Sequence, residues 1–356
     1  MRAKVAEHAT LFYENGAVVW DDYLHHRQFA ISETAELLCR KFSAFTDVDD
    51  LLEPLGEEDR AVLRRVLDEL VEAGVLIIEG SPEHEAERDL LLAWSGWGPS
   101  ARHFHFASRT LGDAEYQSAD EHDAVLEVKL GEQPPPTPFR TLGGDAVALP
   151  VLRAQPSWGG MPVLDVLLAR RTTREFGADG VSFEQLGELL AVLAGPSPTR
   201  SHIGRSGTVF KTSPSGGGRH PVELYAHAVD VDGLAAGWYH YDGLRHVLEP
   251  VGPAWTPAQL AEAAGDQEWV GDAPLVLVYT AVLERTRWRY DTSRAYRVVQ
   301  MDVGHLSQTA YLVATAMGLG VGFTAALRDE LVERAVGCDA NHEVVLGMTA
   351  VGPLRK

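Results

Sequence analysis

The chain has 356 residues, and its 31 Lys and Arg against 51 Asp and Glu give a net charge of −20. At roughly 100–200 residues per domain the length predicts two or three domains, and a hydrophobic content of 45 % excludes a disordered chain. The negative charge disfavours nucleic acid and anionic membrane surfaces as partners. No apolar run reaches the roughly 18–20 residues of a membrane span, and the N-terminus lacks the apolar stretch of a signal peptide. The two cysteines, Cys39 and Cys338, form neither a metal-ligand spacing nor a disulfide framework, which fits a reducing cytoplasm.

Residues 1–80 read as a small unit. Gly16 to Trp20 is strand-like. Ser32 is placed to cap a helix carrying Leu37, Leu38 and Phe42. A second helix spans about 57–73, with Val62, Leu63, Val66, Leu67, Leu70 and Val71 at helical spacing and Gly74 as its stop signal. Val75 to Ile78 follows as a short buried strand. Helices and then a terminal strand suggest a winged-helix-like module. DNA binding is a poor reading of it, because residues 1–90 carry nine Lys and Arg against twenty-one Asp and Glu. Packing or peptide binding fits better.

Residues 81–160 lack periodicity and read as a linker and wrapped segment, with a Trp94/Trp97 pair and the run Pro134-Pro-Pro-Thr-Pro. From 161 on, helix and strand patterns alternate. Leu164 to Arg170 is helical, and Ser182 caps a helix through Leu186 to Leu193. Val222 to Val229 and Leu275 to Tyr279 are strands. Leu306 to Leu319 is a long apolar helix, and Val344 to Gly352 a final strand. The class is α+β.

Three stretches carry candidate chemistry. Arg170-Arg-Thr-Thr-Arg-Glu-Phe176 concentrates cations and hydroxyls in an acidic chain. It is either a solvated basic face or an anion site, since forked guanidinium donors and a Thr hydroxyl suit phosphate. Ser213-Pro-Ser-Gly-Gly-Gly-Arg-His-Pro221 precedes a strand, so it is neither a Walker loop nor a dinucleotide fingerprint. It is a plain turn or a loop whose backbone approaches a ligand. Arg287-Trp-Arg-Tyr-Asp-Thr-Ser-Arg-Ala-Tyr-Arg297 alternates Arg and aromatic residues ahead of Asp302-Val-Gly-His-Leu-Ser-Gln308. It reads as a pocket wall or as a surface stripe of stacked pairs.

In this order, with Met317-Gly-Leu-Gly-Val-Gly-Phe323, these stretches resemble the flavin-dependent nitroreductase superfamily, and within it the SagB-type or thiazole-oxidase-like dehydrogenases. The resemblance covers about 160–356. It implies a nitroreductase-like three-layer α/β/α sandwich that forms a homodimer, with FMN at the subunit interface. Carried over by position, it implies that Arg170, Arg171 and Thr172 hold the FMN phosphate and ribityl chain, and that Arg174 approaches the pyrimidine side of the ring. Pro214, Ser215, Gly216 and Gly217 would run along the ring, the glycines being required because a side chain would strike it, and Gly320 would join the cofactor site.

Azoline oxidases of this group resemble one another in a Lys-Tyr pair, where this chain has Arg289-Tyr290. Arginine cannot act as a base, so Tyr290 becomes the expected proton-handling residue, with Arg289 favouring its phenolate. No metal is implied. More weakly, residues 1–80 resemble leader-peptide recognition modules, with the Val18/Val19 strand as the open edge for an extended peptide. The implied function is FMN-dependent oxidation of a peptide or peptide-derived intermediate in natural-product biosynthesis, azoline-to-azole or related, in the cytoplasm, with a precursor peptide and biosynthetic enzymes as partners. An NAD(P)H-dependent nitro or quinone reductase and an inactive peptide-binding flavoprotein scaffold are the alternatives.

Overall fold

A computed structural model describes residues 1–153, 156–197, 203–204 and 206–355, and the chain divides into compact units at 1–114 and 115–356. In the first unit β1 (Arg2–Val5) is the middle strand of a sheet with β5 (Thr46–Asp47) and β6 (Leu76–Ile78). A separate meander comprises β2 (Thr10–Glu14), β3 (Ala17–Asp22) and β4 (Arg27–Ile31). The helices are α1 (Glu33–Lys41), α2 (Val48–Leu52) and α3 (Glu57–Glu72). Ser32 caps α1 by accepting the Ala35 N–H, as its position predicts. Trp20, Leu38, Phe42, Val48, Leu67 and Leu76 form one buried core.

Two expectations change here. The strand carrying Val18 and Val19 is not an edge: β3 pairs with β2 on one side and β4 on the other, with Val19 opposite both Phe12 and Ala30. Its β-branched pair Val18-Val19 suits a strand in either position, so sequence does not separate edge from centre. The second change is that residues 82–132 hold three helices, α4 (Pro82–Ala93), α5 (Gly98–Ala107) and α6 (Ala119–Glu132). The first two lie within the N-terminal unit, which runs to Ala114 rather than to about 80. Their apolar residues are spread around the helix, which hides the period. Their start signals are nonetheless present: Ser81 before Pro82, and the Ser118/Glu121 capping box.

The second unit is built on a seven-stranded antiparallel sheet. Its strands are β7 (Val147–Ala148), β8 (Val222–Ala228), β9 (Gly237–Asp242), β10 (Val247–Pro253), β11 (Leu275–Val282), β12 (Leu319–Thr324) and β13 (Glu343–Pro353), in the order β12-β13-β11-β8-β9-β10-β7. The helices are α7 (Val163–Ala169), α8 (Phe183–Ala194), α9 (Pro257–Ala263), α10 (Glu268–Gly271), α11 (Leu283–Arg287), α12 (Ala295–Ala316) and α13 (Asp329–Val336). Alternate residues of one strand feed two cores, because successive side chains leave opposite faces. Leu275, Leu277 and Tyr279 of β11 meet α8 and α12 through Leu186, Leu190, Val303 and Ala310. Val276 and Val278 meet α9, α10 and α13 through Leu260, Val270 and Val332. This is the expected three-layer α/β/α sandwich. Among the described residues no helix is long and apolar enough to cross a membrane.

The long helix α12 begins eleven residues earlier than the apolar run implied. Arg297, Gln300 and Asp302 lie before that run and mask the start of the helix, yet the buried positions Val299, Val303, Leu306 and Ala310 keep one face on the sheet.

Burial also sets an acid sensitivity. His227 is fully buried, its Nε2 accepts the Trp255 N–H at 2.8 Å, and burial lowers its pKa from 6.5 to about 4. The fold therefore holds it neutral. As pH falls from 6.5 towards 4, the unfolded chain takes up a proton that the folded chain cannot. That contribution, on the order of 3 kcal/mol at 1.36 kcal/mol per unit, is present above pH 6.5 and lost on acidification. Urea midpoints measured between pH 7 and 4 should fall, and should fall less in His227→Gln.

Candidate functional site

Helix α7 ends at Ala169, and the chain then runs extended beside β12, where Thr173 N–H donates to Val321 O at 2.8 Å. Glycines make the approach close. A Cβ on Gly320 would lie 2.8 Å from Thr173 Cγ2, and one on Gly322 would lie 2.7 Å from Thr173 O. Gly320 therefore seats the arginine segment, with Thr173 packed directly against it.

The arginines divide by role. The Arg170 guanidinium lies 5.4 Å above the Tyr311 ring, and that of Arg174 lies 5.8 Å above Trp269. Neither has a carboxylate partner among the described residues, although the chain has a large excess of acid. Arg171 instead folds back, with Nη1 donating to Leu168 O and Arg170 O at 2.8 and 2.7 Å. It satisfies free carbonyls at the end of α7, as cations at helix C-termini do, rather than standing ready for an anion. Thr172 Oγ1 lies 3.1 Å from the Tyr311 hydroxyl, which accepts the Phe323 N–H at 2.9 Å.

The glycine-rich loop is pinned to α12 by a residue to which sequence reading gave no role. Asp302 is 2 % exposed. Its carboxylate accepts from Ser215 Oγ at 2.5 Å and from the Gly216 N–H at 3.4 Å. Burial raises the Asp302 pKa against the opposing pull of those two donors. Pro214 O lies 3.1 Å from His305 Nδ1, and Ser213 Oγ lies 2.6 Å from Thr309 Oγ1. On the far side buried Arg219 donates to Arg285 O at 2.8 Å, and Arg285 pairs with Glu223 at 2.5 Å.

Gly217 and Gly218 take φ of 60° and 63°, a region that favours glycine. A Cβ on Gly216 would overlap Val298 of α12, and one on Gly217 would overlap the Tyr290 hydroxyl. The chain's own packing thus already demands these glycines, where a flavin ring alone was the expected reason.

That packing sets Tyr290 against the loop. Tyr290 is half-buried, its N–H donates to Thr286 O at 3.0 Å, and its ring helps line a cavity of about 270 Å³ with Leu283, Thr286, Asp291 and Tyr296. The Arg289 guanidinium lies over the ring face, 5.6 Å from its centroid, and Nη2 lies 3.0 Å from His122 Nε2.

Helix α12 carries both halves of the site but keeps them apart. Asp302 and Tyr311 are nine residues apart, so at ~1.5 Å and ~100° per residue they stand roughly 14 Å apart along the axis and half a turn around it. The loop with Tyr290 lies on one flank, and the arginine segment on the other.

Residues 167–353 of this sandwich match the nitroreductase family model, and the chain belongs to the nitroreductase family. Its family makes it an oxidoreductase. The trifolitoxin-processing protein TfxB of Rhizobium leguminosarum bv. trifolii is 26 % identical over 348 residues, covering 93 % of this chain and 89 % of TfxB. The microcin B17-processing protein McbC of Escherichia coli is 32 % identical over 138 residues, which is 37 % of this chain and half of McbC. A protein of Methanocaldococcus jannaschii whose name places it among the nitroreductases is 36 % identical over 165 residues, 46 % of this chain and 79 % of that protein. Among solved structures, the E. coli microcin synthetase McbBCD complex with truncated pro-MccB17 bound aligns with a TM-score of 0.45 at 22 % identity, over 76 % of this chain and 94 % of that one.

Proposed function

We propose that this protein is an FMN-dependent dehydrogenase or oxidase that acts on a peptide or peptide-derived intermediate, azoline-to-azole or related, as a cytoplasmic homodimer. The observation that carries the cofactor is the pair Arg170 and Arg174. Two guanidinium groups without carboxylate partners among the described residues, seated on aromatic rings beside the Thr172 hydroxyl, suit a phosphate and an electron-rich ring. When bound, FMN accepts a hydride equivalent from the substrate. Arg170 and Thr172 hold its phosphate end, Arg174 adds positive charge by the ring, and Pro214 to Gly217 present backbone along it. Tyr290 takes or gives the substrate proton at its phenol oxygen.

The dimer is supported by the separation of the two half-sites on α12, so that a second copy is needed to bring an arginine segment against a loop. It is supported also by α7, where Val163, Leu164 and Leu168 are more than 60 % exposed directly before Arg170. The peptide substrate is supported by the similarity to TfxB and McbC, a trifolitoxin-processing and a microcin B17-processing protein, and by the match to TfxB extending through the N-terminal unit.

Purified protein incubated with FMN should turn yellow, with one flavin per chain and the mass of a dimer by light scattering. Anaerobic mixing with a thiazoline-containing peptide should bleach it. Bleaching by NAD(P)H alone would favour the reductase reading, and bleaching by neither the inactive scaffold. Protein that stays colourless overturns the cofactor assignment.

A further inference from the structure

The N-terminal unit holds a cluster that the redox reading does not use. His8 lies between β1 and β2, Asp22 ends β3, and His25 lies in the turn to β4. One ligand atom from each falls within 4.8 Å of the others. His8 is 7 % exposed, yet its Nε2 has no hydrogen-bond partner among the described residues and lies 3.4 Å from Asp22 Oδ1. His25 Nδ1 lies 2.8 Å from Asp22 Oδ2.

The surroundings orient this nitrogen. Glu87 of α4 lies 2.9 Å from His8 Nδ1, so the carboxylate accepts a hydrogen bond from Nδ1–H, and in the neutral imidazole the Nε2 lone pair faces Asp22 and His25. A carboxylate behind a ligating imidazole is the arrangement that fixes tautomer and ring direction in metal sites. Lys4 lies 3.1 Å from Glu87 Oε2 and balances its charge. Arg27 pairs with Asp22 Oδ2 at 2.7 Å, while Oδ1 accepts the His25 N–H at 3.3 Å and lies between His25 Nδ1 at 3.0 Å and His8 Nε2 at 3.4 Å. The cluster also opens on a cavity of about 910 Å³, walled in addition by Leu76, Leu90 and Phe106.

We propose that His8, Asp22 and His25 bind a divalent cation of the zinc class, with Glu87 as the positioning residue for His8. Two imidazoles and a carboxylate are a donor set that zinc accepts, and three protein ligands leave a fourth position open to the cavity. The metal would join the β3–β4 turn to the segment that leads into β2.

The test is tag-free, full-length protein stripped with a chelator and titrated with Zn²⁺ against a chromogenic competitor. One zinc per chain is expected. Glu87→Gln should weaken binding by roughly 10–100-fold. His25→Ala changes a side chain that is 63 % exposed, so the fold should survive, and stoichiometric binding should be lost. Circular dichroism confirms folding of each variant. Wild-type protein that binds no zinc would mean that His8 is a protonated imidazole shared by Asp22 and Glu87, and would overturn the proposal. Wild-type affinity in folded His25→Ala would overturn it as well.

Discussion

Turnover by the Tyr290→Phe variant should fall by roughly 10²–10⁴, the usual loss when a general acid or base is removed, while FMN stays bound at one per chain. The substitution deletes one oxygen and keeps the ring, so Arg289 keeps its stacking surface and Gly217 keeps its neighbour. That oxygen forms no hydrogen bond with any described residue, so its removal leaves no buried partner unsatisfied, and the fold should melt as wild type. Arg289→Lys is the companion measurement. It keeps the cation and can keep the single contact to His122, so activity should be retained if charge beside the ring is what matters. Loss of activity with flavin bound would show that the guanidinium fork grips the substrate. Near-wild-type turnover from Tyr290→Phe would return both residues to the status of a surface stripe.

Arg170→Ala and Arg174→Ala should each weaken FMN binding by about 10–100-fold, as the loss of a charge-assisted hydrogen bond of about 1.5–3 kcal/mol implies. Quenching of flavin fluorescence on titration with apoprotein measures this directly. Arg171→Ala serves as the contrast. Its guanidinium caps α7 through Leu168 O and Arg170 O, so it should cost stability before affinity. Equal losses of FMN affinity from Arg170→Ala and Arg171→Ala, with melting unchanged, would contradict the division of roles drawn from the structure.

Features that depend on near neighbours in the chain were legible from the residues alone. Ser32 and Ser182 cap helices because their acceptors lie three residues from the N–H groups they satisfy. The apolar run at Leu275 and the mainly apolar stretch at Val222 mark strands, and both are covered on both faces. The three motifs were legible, in order, as the nitroreductase pattern that the family match at 167–353 bears out.

Only the tertiary structure decided what depends on distance. Asp302 is 87 residues from Ser215, and no local rule says that its carboxylate holds that loop. Pairing on both sides of β3 closes the edge that its β-branched sequence left open. The glycines at 216 and 217 were legible as a need for space, but that α12 and Tyr290 fill that space follows from packing. Nor does spacing bring His8, Asp22 and Glu87 together, since they meet only when a loop, a strand end and a helix close on one core. Sequence periodicity records which face of an element is buried, whereas the partner on that face is set by the fold.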